Sequence, residues 1–345
     1  MQGMRNRGEI NIFREIRSVM QKEGLDIFIN NTNKGMSDRY VTDEKLIDRA
    51  LSIWGQDRKA FVVNKHGKQL LCNSKEAVMP QEALGELSDF KINAATYMPR
   101  GGDYYIGYKK DGEKWLLCNG YSIYDRKAFA RFKDNPTYDI LTEIFDVKPE
   151  NIHKINIFGE DLDEVVRPIG YPYILVNDYY KSLLNLDEML KAYPKNFYLY
   201  SQLQTHLIKQ LKNAPKSAEE ICKELESCGF KPIPIGGRYH DDINFINAIA
   251  FKNKKDKITY ISNSTNKTDL ELKFLEQLFD RDLRRSVPQV SDTYYISGGA
   301  RNFDEMKKGA LSLYERGVFN RNVIMDILAN RYGGIHCMAA EIPKF

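Results

Sequence analysis

Short apolar segments alternate with helix-like segments along the whole chain, and this alternation restricts the fold to the α/β class. Segments rich in β-branched and aromatic residues are predicted as strands, at residues 61–63, 115–117, 155–157, 173–176 and 258–261. Segments with helical apolar spacing are predicted as helices, at residues 11–23, 182–193, 216–227, 269–279 and 303–315.

Two segments are predicted as β-hairpins. Asn64-Lys65-His66-Gly67 divides the segment 61–72, and Asp111-Gly112 divides the segment 104–118. A hairpin, a helix and a further strand make a unit of roughly 70 residues, and about five such units fit the chain. Because no Pro/Gly/Ser-rich linker interrupts the sequence, we expect a single domain over residues 1–345. Residues 1–50 would form a helical or strand-containing first module, and residues 190–235 are the place where a seam is most expected.

Composition argues against several classes of protein. The 51 basic and 47 acidic residues leave a net charge of +4, which gives no support for nucleic-acid binding. No apolar run approaches the ~18 residues of a membrane span, and the basic N-terminus lacks the apolar region of a signal peptide. The five cysteines have no C-x-x-C or zinc-like spacing. They are typical of reduced thiols, so we expect a cytoplasmic protein without membrane partners.

A cysteine follows a glycine pair near the end of the sequence, in Gly333-Gly334-Ile335-His336-Cys337. Glycines allow the backbone to approach a ligand closely, so Cys337 is a candidate nucleophile at a cleft. The alternative is a small buried apolar residue, the usual role of a free cysteine.

Three further motifs precede this turn, and each has an ordinary structural alternative. Asp57 is either a site carboxylate or a turn residue. Gly101-Gly102 either approaches a ligand or forms a plain turn. Asp163 is either a site carboxylate or part of a solvated helix start. In chain order the motifs are Trp54-Gly55-Gln56-Asp57, Arg100-Gly101-Gly102-Asp103 and Asp161-Leu162-Asp163-Glu164.

The order of the four motifs resembles that of the guanidino-group modifying enzymes, the pentein superfamily, over residues 51–343. That resemblance implies a five-bladed α/β propeller of ββαβ-like modules with pseudo-fivefold symmetry, which agrees with the five units. The residues around Asp57 and the Asp163-Glu164 pair are most similar to those of protein-arginine deiminases. Arg100 stands where those enzymes bind the substrate backbone, which favours an arginine-containing peptide or protein as substrate.

The resemblance implies deimination of arginine to citrulline and ammonia. Asp57 and Asp163 would hold the planar guanidinium, because carboxylates accept its paired N–H donors. The Cys337 thiolate would attack the guanidinium carbon, and water would hydrolyse the thiouronium intermediate. No cofactor is expected; calcium dependence, seen in some protein-arginine deiminases, is left open, as is a homodimer.

The sequence departs from the superfamily at the proton shuttle, where Asp161 replaces the expected histidine. An aspartate with an ordinary pKa, about 4, is a poor proton donor at neutral pH. His240, in Gly236-Gly237-Arg238-Tyr239-His240, is a candidate substitute on a predicted glycine-rich loop, whereas His336 would point away from Cys337. Three alternatives therefore stay open: an arginine-binding relative with impaired turnover, an engineered change at Asp161, or deimination or amidino transfer on free arginine or another small guanidine.

Overall fold

The computed structural model describes the central part of the chain. The described residues are 59–64, 67–73, 89, 91–95, 101–120, 141, 142, 144–157, 161–214, 216–240, 243–253, 255–263 and 270–296, with residues 18 and 22. Their fold is α/β with mixed sheets, as predicted.

Four three-stranded sheets within the described residues share one topology. Two consecutive strands form an antiparallel hairpin, and a third strand runs parallel to the second. The sheets consist of β1 Lys59–Asn64, β2 Gly67–Asn73 and β3 Lys91–Ala95; β4 Tyr104–Tyr108, β5 Lys114–Asn119 and β6 Ile152–Ile155; β7 Val166–Gly170, β8 Tyr173–Asn177 and β9 Lys231–Ile235; and β12 Ile249–Lys252, β13 Ile258–Asn263 and β14 Val290–Ile296. Between the third and fourth sheets lies a two-stranded hairpin of β10 Arg238–His240 and β11 Ile243–Asn244.

Helices occupy the crossovers and one short connection. They are α1 Leu162–Val165, α2 Tyr179–Ala192, α3 Phe197–Asn213, α4 Ala218–Ser227 and α5 Leu270–Ser286, with 3₁₀ turns at Gly101–Asp103 and Pro149–Asn151. Side-chain capping stabilises the N-terminus of two of these helices. Asp178 accepts from the N–H groups of Tyr180 and Lys181 at the start of α2, and Ser217 and Glu220 form a capping box at the start of α4.

Both predicted hairpins are confirmed in register. Asn64 pairs with Gly67 across the first turn, and Tyr104 pairs with Cys118 in the second hairpin. In the second turn Gly112 takes a positive φ of 84°, which a glycine adopts without strain. The Asp111 carboxylate accepts from the Glu113 N–H at 3.0 Å, which supports the same turn.

Two apolar clusters connect the third sheet to its neighbours. The larger one joins helices α2, α3 and α5 to the strands beneath them, and its fully buried members include Leu186, Leu207, Phe279 and Leu283. The second joins β5, β8 and α4. Among the described helices, none is both long and apolar enough to cross a membrane.

Several boundaries differ from the sequence prediction. The strand predicted at residues 155–157 ends at Ile155, where its pairing with Asn119 ends. Helix α3 was not predicted; it lies in the expected seam and buries Leu203 and Leu207 in the larger cluster. The predicted helices at residues 11–23 and 303–315, and the first module, lie outside the described residues apart from residues 18 and 22. The described sheets are separate, so closure into a five-bladed propeller stays a prediction.

Candidate functional site

The second and third sequence motifs lie against each other. Gly102, in the 3₁₀ turn before β4, faces Asp161 and Asp163 at the start of α1. A Cβ at Gly102 would lie 3.1 Å from Asp163 Oδ1 and 3.2 Å from Asp161 Cβ. Any side chain at position 102 would therefore crowd the two carboxylate-bearing residues. The glycine allows the turn to approach them closely.

Asp163 is completely buried, whereas Asp161 is partly exposed. Helix α1 is a single turn whose Leu162 and Val165 side chains are buried in the second apolar cluster, and this burial draws Asp163 inward. Asp161 precedes the helix in extended backbone, with φ −74° and ψ 147°. The alternative of a solvated helix start is wrong for Asp163. A buried carboxylate beside a tight glycine turn suits a planar cation with paired N–H donors.

A second buried carboxylate ends the same turn. Asp103 is 1% exposed, and Asn119 Nδ2 at the end of β5 donates to its Oδ1 at 3.2 Å. The Asn119 Oδ1 accepts from the backbone N–H of Ile157 at 3.2 Å. Asn119 thus contacts both the chain segment that ends the Gly102 turn and the segment that leads to Asp161.

Two residues of the β10–β11 hairpin bind Glu164, the residue that follows Asp163. Arg238 Nη2 lies 3.1 Å from Glu164 Oε2, and its Nη1 donates to Tyr179 Oη at 3.1 Å. Asn244 Nδ2 donates to the Glu164 carbonyl at 3.2 Å. Sequence reasoning assigned no role to Arg238, Glu164 or Asn244. The sequence signal is Gly236-Gly237-Arg238, which directly follows a strand and precedes the candidate His240.

His240 lies in strand β10, so its placement on a loop was wrong: its segment pairs with β11. Its ring packs against that of His206 from α3, with centroids 4.7 Å apart. The role of His240 in proton transfer stays a prediction.

The other predicted site residues lie outside the described part of the chain. They are Asp57, Arg100 and Cys337. Of the predicted residues, the structure therefore brings together Asp161 and Asp163. Within the described residues, no group of three or more His, Cys, Asp or Glu side chains is arranged to hold a metal ion.

The chain is similar to solved structures, two of which are described here by name. The agmatine deiminase of C. jejuni is 13% identical with a TM-score of 0.46, and the match covers 83% of this chain and 70% of that one. A structure named "a putative peptidyl-arginine deiminase" is 13% identical with a TM-score of 0.44, over 84% of this chain and 75% of that one. No protein-family model matches the chain, and no curated protein matches it.

Proposed function

We propose that this protein hydrolyses the guanidino group of arginine to citrulline and ammonia, with Cys337 as the nucleophile. The observation that supports the proposal is the approach of Gly102 to Asp161 and Asp163. These residues belong to two motifs that the sequence separates by about 60 positions. They meet at a buried carboxylate, which is the group that a guanidinium requires.

The proposed reaction needs two additions at the guanidinium carbon. The Cys337 thiolate adds to that carbon, and the displaced C=N electron pair moves to nitrogen. The C–N bond then breaks, and the nitrogen takes a proton and leaves as ammonia. Water adds to the thiouronium and loses a proton, the C–S bond breaks, and the thiolate returns with the ureido product released. Asp163 and Asp57 accept N–H donors throughout and remain ionised.

The repeated sheet topology supports the proposed architecture. The four sheets of identical connectivity within the described residues fit a propeller of ββαβ-like modules. We place the site at the end of these sheets where the third strand leaves, because Gly102 follows β3, Asp163 follows β6 and Arg238 follows β9. A peptide substrate is favoured by Arg100, which we assign to the substrate backbone.

The test measures ureido product from a peptide with one internal arginine, with the N-terminus acetylated and the C-terminus amidated, against free arginine and agmatine. We expect product from the peptide and its loss in Cys337→Ala. Cys222→Ala, which removes a half-buried thiol of α4, is the matched control and should retain activity. Parallel assays with calcium and with a chelator decide the calcium question. Equal activity of Cys337→Ala and the wild type would disprove the assigned nucleophile.

A second function is favoured by one residue. Asp161 stands where the resemblance expects a histidine, so the chain is alternatively an arginine-binding protein with impaired turnover. Calorimetry with the same peptide and Cys337→Ala measures binding without turnover. Asp161→His separates the two functions: a rate rise of about 100-fold would identify Asp161 as the impaired shuttle position. Tight peptide binding, with no product from the wild type or from Asp161→His, would favour the binding function.

A further inference from the structure

An asparagine ends the middle strand of every three-stranded sheet within the described residues. Each is the last residue of its strand in parallel register with the third strand. The pairs are Asn73 with Ala95, Asn119 with Ile155, Asn177 with Ile235 and Asn263 with Ile296. The repetition associates the asparagine with the point where the third strand leaves the sheet.

The two asparagines whose side chains are described make the same backbone contact. Asn119 Oδ1 accepts from the N–H of Ile157, and Asn177 Oδ1 accepts from the N–H of Gly237 at 3.3 Å. Each donor lies two residues beyond the register partner of its asparagine. Both side chains are nearly inaccessible, at 3% and 2% exposed. A buried amide that accepts from the departing chain is therefore shared by these two sheets.

The amide nitrogens differ between the two sheets. Asn119 Nδ2 donates to the Asp103 carboxylate, whereas Asn177 Nδ2 has no hydrogen-bond partner among the described residues. The pairing of β7 with β8 begins at Val166 with Val176, and the residue before Val166 is Val165, which offers no side-chain acceptor. In the second sheet, Asp103 therefore provides an acceptor for the amide nitrogen of Asn119, and Asp103 directly follows Gly102.

We propose that Asn119 is a positioning residue that holds the Gly102 turn against the segment carrying Asp161 and Asp163. The assignment rests on the proposed function, because the segments it joins bear the proposed site. The amide orientation follows from its partners, since an N–H must meet the carboxylate and a carbonyl oxygen must meet the Ile157 N–H. One rigid, buried side chain then sets the distance between two motifs from different sheets. Displacement of about 1 Å at such a site costs about 100-fold in rate.

Asn151 supplies the matched control. It is 3% exposed, lies at the opposite end of the same sheet before β6, and accepts from Lys109 Nζ at 2.6 Å. Asn119→Ala should lower kcat/KM for the arginine peptide by about 100-fold, and Asn151→Ala by less than about 3-fold. N119D keeps the acceptor but sets two carboxylates side by side, so it should be as impaired as Asn119→Ala. The N119D/D103N double variant restores a donor–acceptor pair and should recover at least about 10-fold.

A readout that needs no turnover separates this inference from the proposed function. Hydrogen exchange on the full chain should show faster exchange over residues 156–163 in Asn119→Ala and not in Asn151→Ala. If the wild type makes no product, the proposed function fails while this comparison still decides the positioning role. Equal exchange over residues 156–163 in the two variants, or no recovery in the N119D/D103N double variant of an active enzyme, would overturn the assignment.

Discussion

Arg238 and Glu164 form an ion pair of unequal burial, with 3.1 Å between Nη2 and Oε2 and side-chain exposures of 4% and 35%. The pair joins the β10–β11 hairpin to helix α1, directly beside Asp163. An exposed pair on α4 offers a comparison: Lys223 and Glu219 lie 2.7 Å apart and are 68% and 76% exposed. Both pairs are within ion-pair distance, and they differ in their access to water.

Removing the acidic partner should therefore have unequal effects in the two pairs. Glu164→Gln takes a charged partner from a buried guanidinium and should lower the free energy of unfolding by about 2–4 kcal/mol. Glu219→Gln leaves a hydrated ammonium and should cost less than about 1 kcal/mol. Urea unfolding of both variants measures the difference. Equal losses would mean that the Glu164 carboxylate contributes no more than a surface charge.

Substitution of two glycines distinguishes steric crowding at the candidate site from backbone strain. Gly102→Ala would set a methyl group 3.1 Å from Asp163 Oδ1, so under the proposed function kcat/KM should fall by at least about 10-fold. Gly112→Ala meets no atom within 4 Å but occupies a φ of 84°. It should cost about 1 kcal/mol of stability and leave activity unchanged. Thermal unfolding and peptide turnover, measured on both variants, test this division. Activity lost equally in both would point to a general structural effect.

Much of the local structure was predictable because nearby residues determine it. Asp111-Gly112 forms its turn through a carboxylate and a positive φ within three residues. Helix α2 was predicted at residues 182–193 and spans Tyr179–Ala192, since its apolar spacing is regular. Helix α3 was not predicted, although its buried residues Tyr200, Leu203 and Leu207 have helical spacing. What the sequence alone does not give is its packing against α2, which buries these residues in the larger cluster.

The contacts at the site could be predicted only in part. The order of the motifs predicts that Gly102 and Asp163 belong to one site, and the two residues are in contact in the structure. The pairing of Glu164 with Arg238 joins positions that a single sequence does not relate, because it depends on how β10 packs beside α1. The asparagines at the strand ends were visible as repeated Leu-Cys-Asn at residues 71–73 and 117–119. Their meaning required the register of the sheets.

Acid stability should depend on Glu113 in the β4–β5 turn. Its carboxylate lies 2.6 Å from Lys148 Nζ and 2.9 Å from Lys109 Nζ. Hydrogen bonds from Lys148 and then Lys109 lower the pKa of Glu113 from 4.5 to about 2. Because the folded pKa lies below the unfolded one, the stabilisation is present above pH ~4.5 and is lost as the pH falls towards ~2.

The measurement compares Glu113→Gln with the wild type across this window. The wild type should have the higher Tm at pH 6, and the gap should close by about pH 2. Glu150→Gln, which removes an exposed carboxylate of the neighbouring 3₁₀ turn, controls for net charge. A gap that stayed constant from pH 6 to pH 2 would contradict the ion-pair origin of the shift.

Thiol reactivity should single out Cys337. Burial raises the pKa of Cys118 to about 12 and that of Cys222 to about 11, and it also raises the pKa of Cys228. Since the thiolate is the reactive form, these three thiols should react slowly at pH 7.5. A haloacetamidine, whose amidinium resembles a guanidinium, should alkylate Cys337 first, and arginine peptide should slow that reaction. Mass spectrometry of the labelled peptides measures each rate, with iodoacetamide as the neutral control reagent. Labelling of Cys222 or Cys228 as fast as Cys337 would exclude Cys337 as an activated nucleophile.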